Sequence, residues 1–151
     1  MWLIVTIVLA ALALRGSRAA YAAYLLFAIL FIPARAGFQM QPLVCEIPVS
    51  VASALYSLQN WQHILLSALV SLMTLAQFRK RHATAFVTAI GVTVALGFLA
   101  ELQQGLFRSG HCRMRDLVPD TAGALVGVVI GWAWRRMRRA GDSSTSPAGV
   151  A

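Results

Sequence analysis

The residues able to do chemistry gather near the carboxyl end. They read Glu101-Leu-Gln-Gln104, then Arg108-Ser-Gly-His111-Cys-Arg113-Met-Arg115-Asp116, then Asp120-Thr-Ala-Gly123-Ala-Leu-Val-Gly127. Glu101 and Gln104 are three apart, which places both on one helical face. Asp116, Asp120, Gly123 and Gly127 recur at threes and fours and share a face of the next helix. Glycines on such a stripe let helices approach closely. The spacing therefore predicts that these two helices pack along it, with Glu101, Gln104, Asp116 and Asp120 gathered at its top. Carboxylates so placed can act as general bases, and arginines grip phosphate or carboxylate through a bidentate fork. His63 opens an earlier apolar run, as a general acid/base or as an interfacial histidine bonded to a neighbour. His63, His111, Cys45 and Cys112 show no paired ligand spacing, so no metal is expected.

The elements that must position these residues are apolar. Of 151 residues, 59% are hydrophobic and 12% charged, with mean hydropathy +0.71. A soluble domain carries roughly 25% charged residues. Apolar stretches run over Trp2 to Leu14, Ala19 to about Ile32 (closed by Pro33), Trp61 to Phe78, Ala83 to about Phe107, and Leu117 to Trp134. The last three reach the roughly 20 residues a span requires. The first two are shorter and form a hairpin around Arg15 and Arg18, or one broken element. Between Leu43 and Asn60, Pro48 suits a first helical turn. Ile47, Val51, Leu55 and Leu58 then fall on one face, with Ser50, Ser53, Ser57 and Asn60 opposite. Such a helix lies along a membrane surface, or packs on the bundle as a re-entrant segment. The expected fold is all-α: an integral membrane bundle of four or five transmembrane helices over 1–140, with an outer amphipathic helix. A polar tail, 141–151, is expected to be disordered.

The net charge of +8 does not point to nucleic acid. The basic residues sit in short clusters beside the apolar runs, whereas a nucleic-acid module presents a basic face on a polar fold. With Arg79-Lys80-Arg81 and Arg135 to Arg139 cytoplasmic, about nine of the 13 basic residues share one side. The amino terminus then lies outside and the carboxyl terminus inside. Glu46, Glu101, Asp116 and Asp120 fall at the outer side, as do Cys45 and Cys112, which are either bridged or two free thiols. A carboxylate within a span costs roughly 2.5–3.5 kcal/mol on insertion scales. It needs a cation or a polar cavity, and Arg108, Arg113, Arg115 and His63 are the candidate partners. The acids then form either an ion-pair cluster that fixes helix packing or a pocket for an anionic or amide-bearing headgroup.

The order Glu-x-x-Gln, arginine loop, Asp-x-x-x-Asn-x-x-Gly-x-x-x-Gly resembles the carboxy-terminal signature of the VanZ-like family, whose members are associated with resistance to teicoplanin-type glycopeptides. Glu101, Gln104, Asp116, Gly123 and Gly127 meet it, with Arg113 as the loop arginine and Arg108 as its substitute. Asp120 stands where the family usually has asparagine. An earlier family motif places an acidic and a basic residue ahead of a helix-opening histidine; Asn60-Trp-Gln-His63 keeps the histidine without the charged pair. The likeness covers about residues 100 to 130, with weaker support at 60 to 75. It implies a bacterial inner-membrane protein acting at the outer face on lipid-linked or peptidoglycan-related material. Two classes stay open. One is an enzyme with Glu101, Asp116 and His63 catalytic and Gln104, Arg108, Arg113, Arg115 and Asp120 holding substrate. The other is a non-catalytic binder of lipid, envelope material or partner protein. Gly123 and Gly127 serve helix packing, or a homo-oligomer. No cofactor is expected, since no ATP loop, dinucleotide fingerprint or serine-hydrolase elbow occurs. A transporter is disfavoured by the lack of an inverted repeat.

Overall fold

The computed structural model describes residues 2–78, 83–107 and 111–144. In chain order these form α1 (Trp2–Leu14), α2 (Arg18–Arg35), a two-residue strand β1 (Cys45–Glu46), α3 (Val51–Ser57), α4 (Trp61–Ala76), α5 (Ala83–Leu106), β2 (Cys112–Arg113), a 3-10 turn over Met114–Asp116, and α6 (Leu117–Ser144). The chain is mostly helical. Three helical stretches, Arg18–Arg35, Ala83–Leu106 and Met114–Met137, are long and apolar enough to cross a membrane.

Two of these lengths differ from the sequence reading. The run from Trp61 to Phe78 was expected to reach spanning length, but its helix stops at Ala76 after 16 residues, or about 24 Å. The second run is longer than expected, because Pro33 does not end it. α2 continues through Pro33 to Arg35 and is closed by Phe38 N–H donating to the Pro33 carbonyl at 2.9 Å. A proline removes the amide that would bond the carbonyl four residues back, here Ile29. The Gln103 side chain supplies the missing donor, bonding the Ile29 carbonyl at 2.8 Å. A side chain from α5 thereby repairs α2.

α4 lies at the centre. Ser67, Ala68, Val70, Ser71, Met73, Thr74 and Leu75 are buried along it. The glycine stripe of α6 packs against this helix, which corrects the expectation that it would face α5. A Cβ at Gly123 would strike the Ile64 carbonyl, and one at Gly127 would lie 2.5 Å from that of Ala68. Only glycine permits so close an approach. Ser71 Oγ completes the seam by donating to the Ala124 carbonyl at 3.0 Å. On its other side α4 meets the α1–α2 hairpin, where Ala10, Ala13, Tyr24, Val70 and Met73 form one apolar core. Tyr21 and Thr74 hydroxyls hydrogen-bond there at 2.8 Å.

The helices run alternately, so Glu46, Glu101, Asp116 and Asp120 gather at one end, with Arg35, Arg113 and Arg115 beside them. At the other end Gly16 lies against the Ala76 carbonyl, and Arg135 donates to the Leu75 carbonyl at 2.8 Å. That end therefore collects Arg15, Arg18, Arg135 and Arg136. The opposite end holds the loops and the acidic residues. There β1 pairs in parallel with β2, Cys45 opposite Cys112 and Glu46 opposite Arg113, and the two cysteines are joined in a disulfide. Gly105 packs beneath, where a Cβ would lie 2.6 Å from Cys112 Cβ. α3 begins after Ser50, which caps it reciprocally with Ser53, and not at Pro48. Its Ser57 is buried while Val51 and Leu55 are 80% and 63% exposed, so its apolar face points away from the protein. At the carboxyl end α6 reaches Ser144. The first residues of the expected disordered tail, 141–144, are therefore helical, and the rest lie outside the described residues. So does the Arg79-Lys80-Arg81 cluster.

Candidate functional site

The site is built where α4 and α6 begin and α5 ends. Asp120, in the first turn of α6, is buried. Its Oδ1 accepts from Ser67 Oγ at 2.7 Å and meets His63 Nδ1 at 3.2 Å. Ser67 sits one turn beyond His63 on the same face of α4, so a single helical stripe presents both partners. Gly97 of α5 makes the room, since a Cβ there would overlap the Asp120 carboxyl group. Three helices thus close on one carboxyl.

Glu101 lies one turn after Gly97 and is 1% exposed. Its Oε2 accepts the Arg113 backbone N–H at 2.7 Å, while Oε1 has no hydrogen-bond partner among the described residues. Donor atoms of His63, Glu101 and Asp116 lie within 4.8 Å of one another. The fold thus brings together the three residues expected to be catalytic, from α4, α5 and the 3-10 turn.

The arginines are placed differently from expectation. Arg113 and Arg115 side chains turn to Glu46, at 3.8 Å and 3.9 Å, and not to Glu101 or Asp116. The cause is the β1–β2 pairing, which sets Glu46 beside Arg113 in register. Arg113 serves Glu101 through its backbone only. Arg108 lies outside the described residues. His111 is exposed.

Beside this cluster a cavity of about 810 Å³ opens between α2, α4 and α5. Its polar lining comes from Arg35, Gln62, His63, Gln103, Gln104 and Asp120, and its depth from Tyr24, Val70, Thr93 and Leu96. From Gln104 down to Thr93 is about 16 Å of helix. Its charged, imidazole and amide groups therefore sit at one end of a longer, mostly apolar slot. Of the residues expected to hold substrate, Gln104 and Asp120 line it and Arg113 and Arg115 do not; of those expected to be catalytic, His63 lines it and Glu101 and Asp116 do not.

Sequence reasoning missed Ser67, Gly97, Gln62, Arg35 and Glu46. For Ser67 and Gly97 a signal existed. His63-x-x-x-Ser67-x-x-x-Ser71 and Gly97-x-x-x-Glu101 are one-turn repeats pointing at the same place. Arg35 and Glu46 carried none, because only the tertiary fold brings them in. No family model matches this chain, and no curated protein or solved structure is significantly similar to it.

Proposed function

We propose that the chain is a multi-pass inner-membrane protein of the VanZ-like kind that binds an amphiphilic, lipid-linked envelope compound in the cavity between α2, α4 and α5. Five helices cross or enter the bilayer, with α1 and α4 too short to span it fully. α3 lies along the outer surface with Val51 and Leu55 in the lipid. The basic end is cytoplasmic and the end bearing the acids faces outward. The observation that carries the reading is the division of the cavity: Arg35, Gln62, His63 and Gln104 at one end, and mostly aliphatic and aromatic side chains, with the Tyr24 and Thr93 hydroxyls, along its depth. A headgroup with phosphate or amide character suits the polar end, and an acyl or prenyl chain suits the slot. Ligand sites placed between the helices of a bundle have this form.

A purely architectural role for the acids draws support from Asp120, whose carboxyl ties α4 to α6 through His63 and Ser67. The two roles coexist, since Asp120 also lines the cavity.

The test is identification of co-purifying lipid by native mass spectrometry of the full chain, beside Ala28→Phe, which fills the slot from α2. Wild type is expected to retain an amphiphile that the variant loses, with equal monodispersity and melting temperature. Identical lipid complements in the two proteins would remove the cavity from the account.

A further inference from the structure

We propose that His63, Glu101 and Asp116 form a binding site for a divalent transition metal, best filled by Zn²⁺. Nothing in their spacing along the chain suggests it, because each comes from a different element. Three observations converge. The donor atoms, one imidazole nitrogen and two carboxylate oxygens, lie within 4.8 Å of one another. Around zinc, ligands at about 2.1 Å lie roughly 3.4 Å apart in a tetrahedron, so side-chain rotation of about 1 Å closes the set. Second, Glu101 is 1% exposed, yet its Oε1 has no hydrogen-bond partner among the described residues. A buried carboxyl oxygen left bare is costly and calls for a ligand. Third, the charge does not balance. Among the described residues, the salt bridges of Arg113 and Arg115 go to Glu46, and that of His63 to Asp120. Glu101 and Asp116 have none.

The surroundings suit a metal. Histidines that ligate through one ring nitrogen usually give the other to a carboxylate. Asp120 meets His63 at Nδ1 and is itself held by Ser67, which leaves Nε2 for the ion. A mixed nitrogen and oxygen set favours Zn²⁺ over Mg²⁺ or Ca²⁺, which prefer oxygen alone. Three protein ligands leave a fourth position open, as zinc sites that take water or a small anion do. The site adjoins the cavity through His63 but needs no occupant there, so it stands or falls apart from the lipid-binding reading.

The experiment is calorimetric titration of the chelator-stripped full chain in detergent with Zn²⁺, repeated with Co²⁺ followed by visible absorption. One ion per chain is expected, with micromolar or tighter affinity. Asp116→Asn and Glu101→Gln should each weaken it at least tenfold, and Asp120→Asn, through positioning of His63, by roughly tenfold to a hundredfold. His111→Ala should leave it unchanged. Should Glu101→Gln fail to fold, Asp116→Asn decides, because Asp116 is only half-buried on the 3-10 turn. Absence of stoichiometric binding in the wild type overturns the proposal. So does equal binding by Asp116→Asn, or loss of binding in His111→Ala.

Discussion

Asp120 serves two partners with one oxygen, and that economy makes Ser67 the more informative of them. A hydrogen bond to an ionisable carboxyl contributes about 1.5–3 kcal/mol, so Ser67→Ala should lower the unfolding free energy in detergent by that amount. A change under about 0.5 kcal/mol would mean that Ser67 is not holding the carboxyl. At this scale the sequence was informative for types and silent for pairings. His63, Glu101, Asp116 and Asp120 stand out as polar groups in apolar surroundings, and they do converge. Their partners could not be read the same way, because Glu46 captures Arg113 and Arg115 through strand register, a contact between segments far apart in the chain. The arginines looked like counter-ions only because they were near in sequence.

Between elements, glycine reports that something comes close without saying what. The stripe Gly123, Gly127, Gly131 was legible, but its partner α4 was not. Once α4 is considered, Ser67, Ala68 and Ser71 offer the complementary small face. Gly127→Leu should force α6 from α4 and cost about 1–3 kcal/mol or more, measured as a drop in melting temperature. Gly91 of α5 has nothing within 4 Å of a Cβ position, so Gly91→Ala should be neutral or stabilise by up to about 1 kcal/mol. If the two variants melt alike, the seam does not hold the bundle. Helix ends were the least legible. Pro33 read as a stop, yet α2 passes it with Gln103 as substitute donor, a repair invisible until α5 is laid alongside.

Over the whole molecule, the clustering of basic residues beside apolar runs was visible in the sequence. Which end each cluster reaches depends on how the helices pack, and the packing leaves Arg35, Arg113 and Arg115 at the end that holds the acids. The bridge from Cys45 to Cys112, 67 residues apart, was open in the sequence because only tertiary proximity decides it. Closing a loop of that size restricts the unfolded chain by about 4 kcal/mol in the chain-entropy model. Reduction should therefore lower the melting temperature by several degrees. On the proposed topology, the bridge lies on the outer side, where oxidising conditions let such bonds persist. In Cys112→Ser, Cys45 is the sole remaining thiol, and a membrane-impermeant maleimide should label it in intact cells. Labelling that requires permeabilised cells would invert the topology.

Because Pro33 offers no amide hydrogen, Ile29 is free to take hold of Gln103, and the upper part of α2 is buckled to α5 over the slot. α2 is tied to α4 as well, by the Tyr21–Thr74 hydrogen bond at 2.8 Å. With Ile29 clasped to Gln103 at one level and Tyr21 to Thr74 at another, α2 is pinned to both α5 and α4. A single imino acid thereby frees the carbonyl on which one of those two clasps hangs.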